Sequence, residues 1–276
     1  MLQRRRLNTK TTMTKTHNAT LLSLALTLFC LISWEALAYG QTYTPTHWVN
    51  DPFYPNPNYS IEAANSTSPS FRNNGADRGT LAGNSPIGAT LRLVKPGDTI
   101  ACSGQVTIGG DVNVDGDMQF RVGLYYRGTN AADTNWLGYM FGNATGAYAG
   151  TTDGLYVRNN PNQGIYSSGS PGNAMRPPCG SLAYSPIWEA ATYNFSLCVT
   201  LLPSNSHRVA WKLAGAAPNS YLYTGVYTNN FVLTMPPAFD QVGIMGGMAL
   251  FNTATSSDDI NFKNVTVTFS TNLDPP

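Results

Sequence analysis

The run Met118-Gln119-Phe120-Arg121-Val122-Gly123-Leu124-Tyr125-Tyr126 decides the fold of this chain. Side chains of an extended chain alternate between two faces. Phe120, Val122, Leu124 and Tyr126 therefore share one side, and Gln119, Arg121, Gly123 and Tyr125 the other. The first set is predicted to point between two sheets. The second points outward, or into a concave groove if the sheet curves. The same texture recurs at 90–94, 99–108, 136–141, 154–158, 193–202, 208–213, 221–227, 231–235, 242–245 and 260–269. Each run is short, rich in β-branched or aromatic residues, and bounded by Gly, Pro, Asn or Asp. No stretch joins a sustained helical period to a cap and a stop. The prediction is an all-β chain, a two-sheet antiparallel jelly-roll sandwich spanning residues 59–272.

Two segments precede it. Arg4, Arg5, Arg6, Lys10 and Lys15 open the chain, 21–34 is apolar, and Ala36-Leu37-Ala38 supplies a small-residue cleavage pattern. Residues 1–38 thus read as a signal peptide with maturation before Tyr39. The apolar run is shorter than the roughly 20 residues of a spanning helix, so no membrane span is expected after its removal. Residues 39–58 carry Pro45, Pro52, Pro55 and Pro57 and read as an extended arm outside the core.

Charge narrows the function. The leader carries five of the 16 basic and one of the 15 acidic residues, leaving 11 against 14, a net −3. No basic block remains to attract nucleic acid or an anionic membrane. Charged residues make up 11% of the chain, so its surface suits neutral hydrogen bonding and ring stacking better than electrostatic steering. Localisation is predicted to be secreted, whether extracellular, periplasmic or at the cell surface. Cys102, Cys179 and Cys198 outlive the leader, and an oxidising compartment predicts one disulfide and one thiol. The expected pair is Cys179 with Cys198, leaving Cys102 buried.

The 118–126 run, followed by Trp136-Leu137-Gly138-Tyr139, resembles the middle strands of concanavalin A-like, laminin-G-like secreted sandwiches. Phe239-Asp240-Gln241-Val242-Gly243-Ile244 and Ile260-Asn261-Phe262-Lys263-Asn264-Val265-Thr266-Val267 resemble the closing strands of that superfamily. The resemblance implies the jelly-roll fold. It implies little about activity, because this architecture hosts lectins, glycosidases, lyases and adhesive modules.

The residues themselves limit the chemistry. Glycoside hydrolysis usually needs two flanking carboxylates, and the mature chain has only Glu62 and Glu189 as glutamates. Gly83-Asn84-Ser85-Pro86-Ile87 breaks the serine-hydrolase elbow at its last position. β-Elimination from a uronate needs a group to neutralise the carboxylate and a Tyr or His to move the proton. Gln119, Arg121 and Tyr125 share one strand face, and His207 begins another strand. These four are the candidate catalytic residues of a polysaccharide lyase. The competing reading makes Arg121 and Tyr125 ordinary outward residues and His207 a turn residue.

Binding without cleavage needs less: exposed rings stack on sugar faces while amides and backbone bond hydroxyls. Trp48, Trp136, Trp188 and Trp211 are available, with all 15 tyrosines. One metal signal is present. Asp111-Val112-Asn113-Val114-Asp115-Gly116-Asp117 places oxygen ligands at Asp111, Asn113, Asp115 and Asp117, as in the first part of a calcium loop. Position twelve is Val122, not a bidentate Glu, so this is no EF-hand. A calcium loop between strands and a solvated acidic turn both stay open. The leading expectation is a secreted lectin-like protein that binds extracellular polysaccharide. A lyase stands second, and an adhesive or structural surface protein third.

Overall fold

The structure is a computed structural model that describes residues 40–50, 59–73, 79–108, 117–127, 137–144, 154–158, 191–215, 222–229, 238–249 and 260–271. Fourteen strands are described within the unit Gln41–Pro276. They are β1 (Gln41–Tyr43), β2 (Val49–Asn50), β3 (Tyr59–Glu62), β4 (Ser70–Asn73), β5 (Gly79–Arg92), β6 (Thr99–Ile108) and β7 (Asp117–Tyr126). Then come β8 (Leu137–Ala144), β9 (Gly154–Arg158), β10 (Ala191–Leu201), β11 (His207–Gly215), β12 (Leu222–Asn229), β13 (Ala238–Ala249) and β14 (Ile260–Ser270). The run expected at 231–235 lies outside the described residues. Among the described residues no helix is long and apolar enough to cross a membrane.

The strands form two antiparallel sheets. One has eight strands in the order β12-β11-β10-β6-β14-β4-β3, with β1 also on β14; the other has six in the order β2-β5-β13-β7-β8-β9. The expected two-sheet sandwich is the architecture found. Alternation assigns the faces, and apolar burial then holds the sheets together. From β7, Phe120, Val122 and Leu124 enter the core, joined by Tyr139 and Phe141 of β8. From the other sheet come Leu197 and Val199 of β10, Val209 and Trp211 of β11, and Val265 and Val267 of β14. Phe262 meets Phe71 and Phe195 edge-on, at 5.7 and 6.1 Å between ring centroids, an arrangement favoured by ring quadrupoles.

The turn after β5 is fastened by its own aspartate. Asp98 Oδ2 accepts from the Val94 and Lys95 amides, each at 2.7 Å. Gly97 takes a φ of 94°, a region favoured by glycine. Its N–H donates to the Leu201 carbonyl at the end of β10. Asp98 is therefore structural, a buried acceptor with its hydrogen bonds met.

One expectation needs correction. Residues 39–58 were expected to lie outside the core, yet the described part is stitched to both sheets. β1 pairs Gln41 with Phe269 on the eight-stranded sheet, and β2 pairs Val49 with Asn84 on the six-stranded one. Between them Trp48 is 3% exposed and donates its indole N–H to the Ser66 carbonyl at 2.9 Å. Proline bars ladder donation only at its own position, so the residues between prolines pair freely. Trp48 is thereby a core residue and no longer a candidate for sugar stacking. Trp211 is also core, while Trp136 and Trp188 lie outside the described residues. Of the expected Cys179–Cys198 disulfide, Cys179 lies outside the described residues. Cys198 is a free thiol standing on the outer side of β10, its Sγ 4.0 Å from Thr200 Oγ1. Cys102 is free and buried as expected; burial pushes its thiol up to about 12, which leaves it unreactive.

Trp48→Ala is expected to lower stability by about 3 kcal/mol, the usual cost of emptying a large aromatic site in a core. Chemical denaturation measures it, and a loss comparable to a surface substitution would show that the strap does not belong to the core.

Candidate functional site

The outer face of the six-stranded sheet is built from three rows of residues set by the strand registers. The first row runs Val49, Asn84, Gly243, Gly123, Met140 and Tyr156, from β2 to β9. The second runs Pro86, Gln241, Tyr125, Gly138 and Arg158. The third runs Ala82, Met245, Arg121, Gly142 and Gly154. Every row contains glycine, at 243 and 123, at 138, and at 142 and 154.

Those glycines let the two large polar side chains of β7 lie down on the sheet. The Tyr125 ring covers Gly123 on its own strand and presses against Gly138 of β8, so a methyl at either glycine would collide with it. The Arg121 stem passes Gly142, where an added Cβ would meet Cγ at 2.7 Å. Its guanidinium carbon reaches 4.9 Å from the centroid of Tyr156 on β9, a cation–π contact. Arg121 is only 4% exposed, and Tyr125, Met140, Tyr156 and Met245 are buried as well, although none of them belongs to the hydrophobic core cluster. The face thus combines two phenol rings, one guanidinium and the amides of Asn84 and Gln241 on a floor cleared of bulk. Such groups bond hydroxyls and stack on rings. The described carboxylates stand elsewhere: Glu62 is exposed on β3, and Asp240 Oδ1 accepts from the Arg127 amide at 2.8 Å.

Of the four sequence candidates, Arg121 and Tyr125 are brought together on this face. Gln119 stands two positions before Arg121 in β7, its backbone paired with Gly247 and Ala144; its side chain lies outside the described residues. His207 is not part of the group. It opens β11 of the opposite sheet and points into the core, where it is 1% exposed. A lyase site built on Arg121, Tyr125 and His207 together is therefore corrected. The physical reason is parity: His207 shares the inward face of β11 with Val209, Trp211 and Leu213. Of the calcium ligands, Asp111, Asn113 and Asp115 lie outside the described residues, and Asp117 opens β7 with its side chain outside them. Among the described residues no group of three or more His, Cys, Asp or Glu could hold a metal.

His207 instead ties the two sheets together. Its Nδ1 lies 2.8 Å from the Tyr139 hydroxyl of β8, and Asn229 Nδ2 of β12 donates to the same hydroxyl at 2.9 Å. The phenol oxygen accepts from Asn229 and shares a second hydrogen bond with Nδ1, whose direction follows the imidazole tautomer. The other ring nitrogen, Nε2, is buried and makes no hydrogen bond. Burial lowers the His207 pKa to about 4 and raises that of Tyr139.

The chain matches no protein-family model and no curated protein in sequence. Among solved structures it is similar to peanut lectin with a nonamer peptide, at 10% identity over 84% of this chain and 98% of that one, TM-score 0.43. It is likewise similar to basic winged bean lectin with Tn-antigen, at 10% identity over 84% and 98%, TM-score 0.46. Lectin I from Ulex europaeus with the methyl glycoside of α-L-fucose matches at 10% identity over 83% and 96%, TM-score 0.45. The fold of this chain stands on the registers given above.

The triad generates an acid-stability prediction. The unfolded chain protonates His207 near 6.5 and the folded one near 4, so between these values the unfolded state binds more protons. Folding stability is then full above about pH 6.5 and falls as pH drops towards 4, by about 3 kcal/mol in all. Urea unfolding across this window measures the slope, and His207→Leu should flatten it. An unchanged slope in that variant would assign the acid sensitivity to other groups.

Proposed function

We propose that this protein is a glycan-binding β-sandwich and that the outer face of its six-stranded sheet is the binding floor. One observation carries the reading: Arg121, Tyr125, Tyr156, Gln241 and Asn84 converge on a glycine-paved face outside the core. Glycine in a strand interior weakens the strand and marks a close approach of another group. Here the cleared ground is filled by side chains able to stack on sugar rings and bond their hydroxyls. Export supports the same reading: residues 1–38 act as a signal peptide, and the ligand is an extracellular polysaccharide. Calcium enters as a ligand of the Asp111–Asp117 segment, and no step depends on it.

Two measurements test this. Affinity electrophoresis against a panel of neutral and uronate-containing polysaccharides, with calcium and with chelator, should show retardation by at least one of them. Gln241→Ala and Arg121→Gln should then weaken binding about tenfold each, roughly 1.4 kcal/mol. Gln105→Ala, on the outer face of the opposite sheet, should bind as the parent does. Retardation untouched by the first two variants would move the site elsewhere. Ultraviolet absorbance of an unsaturated product from the same incubations would make the protein a lyase. Separately, mass spectrometry of the exported product should find Tyr39 at its N-terminus, and a product that keeps residues 21–34 would be membrane-anchored.

A further inference from the structure

His207 is a buried imidazole that the glycan reading leaves unused, and its contacts reach the back of the proposed floor. Its ring packs edge-on against Tyr139 of β8, at 5.7 Å between centroids, and tilted against Phe239 of β13, at 6.4 Å. Both neighbours lie beside floor residues. Tyr139 follows Gly138, against which the Tyr125 ring presses. Phe239 stands two positions before Gln241, and there the ladder between β5 and β13 slips: Phe239 pairs with Leu91 but Gln241 with Pro86. A disrupted ladder leaves side-chain packing to hold the strand locally, and proline donates nothing to it. The second row of the outer face, through Pro86, Gln241, Tyr125 and Gly138, is thus backed from inside by the two rings that His207 touches.

Around the ring stand polar groups from several elements. The Tyr139 hydroxyl meets Nδ1 and Asn229 of β12 donates to that hydroxyl; burial, and after it Tyr227 of β12, raise the Tyr139 phenol. Asp98 stands beyond Leu201, the residue paired with His207, and its Oδ2 accepts from the Val94 and Lys95 amides. Asp240, next to Phe239, accepts from the Arg127 amide, and Arg208 is exposed on the other face of β11. In either neutral tautomer, a proton taken up turns both ring nitrogens into donors. The Tyr139 oxygen then faces donors from His207 and Asn229 together, and Nε2, which makes no hydrogen bond, shares a buried positive charge. Buried charge without compensation is costly, so the ring must shift, and Tyr139 and Phe239 with it. We propose that His207 positions the second row of the outer face and that its protonation loosens this row in acid. The proposal rests on the glycan reading only for what the row grips; the coupling is a property of the free protein.

Methyl NMR of the mature chain, labelled at its methionine methyls, tests this without any glycan. Met140 follows Tyr139 on β8 and belongs to the first row of the same face. Its methyl, assigned through Met140→Leu, should move with pH along a one-proton curve centred near 4, the value to which burial lowers His207. The His207 ring proton should trace the same curve, with near-ultraviolet circular dichroism reporting a folded chain throughout. His207→Asn keeps an amide donor near the Nδ1 position and cannot titrate, so it should hold the Met140 methyl fixed over this range. Tyr139→Phe keeps the imidazole and removes the link; the His207 curve should persist while the Met140 movement shrinks. Should His207→Asn fail to fold, the Tyr139→Phe result decides alone. A Met140 methyl that stays put while His207 titrates would overturn the proposal. So would one that titrates unchanged in either variant, or resonances that vanish together before any movement, which is acid unfolding alone. Absence of glycan binding at every pH would overturn the floor reading and leave the coupling standing, so the two failures are told apart.

Discussion

The period of two along β7 is the constraint on which the rest of the molecule rests. β7 lies between β13 and β8 in the six-stranded sheet, so both of its edges are committed to ladders. Its side chains have no freedom to choose a face. Phe120, Val122 and Leu124 must enter the core, and Arg121 and Tyr125 must leave it. A slip of one residue would put a guanidinium and a phenol into the core and expose three apolar residues. The core residues and the large polar side chains are in this way assigned to opposite faces of one strand.

The outward face solves a problem created by that assignment. Arg121 and Tyr125 are too large to stand upright side by side on a face that becomes buried. Glycine at 123, 138 and 142 lowers the ground around them, so that both lie flat. Tyr156 then receives the guanidinium on its ring. The cost is strand stability, since glycine contributes no packing and loses more backbone entropy than other residues. The opposite sheet makes the reverse choice. Its outer face is knitted by side-chain pairs such as Thr107 with Thr192 at 2.7 Å and Gln105 with Asn194 at 3.0 Å, which strengthen the sheet and spend their hydrogen-bonding capacity on one another.

Alternation made most of this legible in the sequence. The strands at 99–108, 118–126, 154–158 and 260–269 were readable because apolar and polar residues alternate between turn residues. Arg121 and Tyr125 were readable as one face for the same reason. His207 was misplaced because it was read singly, as a strand start or a turn residue. The period through His207, Val209, Trp211 and Leu213 carried the inward assignment all along. Asn84, Tyr156 and Gln241 carried no such signal. Their approach to Tyr125 and Arg121 depends on registers between strands remote in sequence, and single-chain periodicity does not encode those. Trp48 was missed because prolines on either side obscured a stretch too short to show a period.

The strap that binds Gln41–Tyr43 to β14 has a consequence for how the molecule is made. The first described strand pairs with the last, Gln41 lying opposite Phe269. A chain emerging from the ribosome or from an export channel therefore holds its leading strand without a partner until nearly all of the sequence has appeared. Contact order is high by construction, and folding is correspondingly slow and late. For a polypeptide expected to be exported, this ordering keeps the precursor loose during its passage and lets the sandwich close only once the trailing strand has arrived.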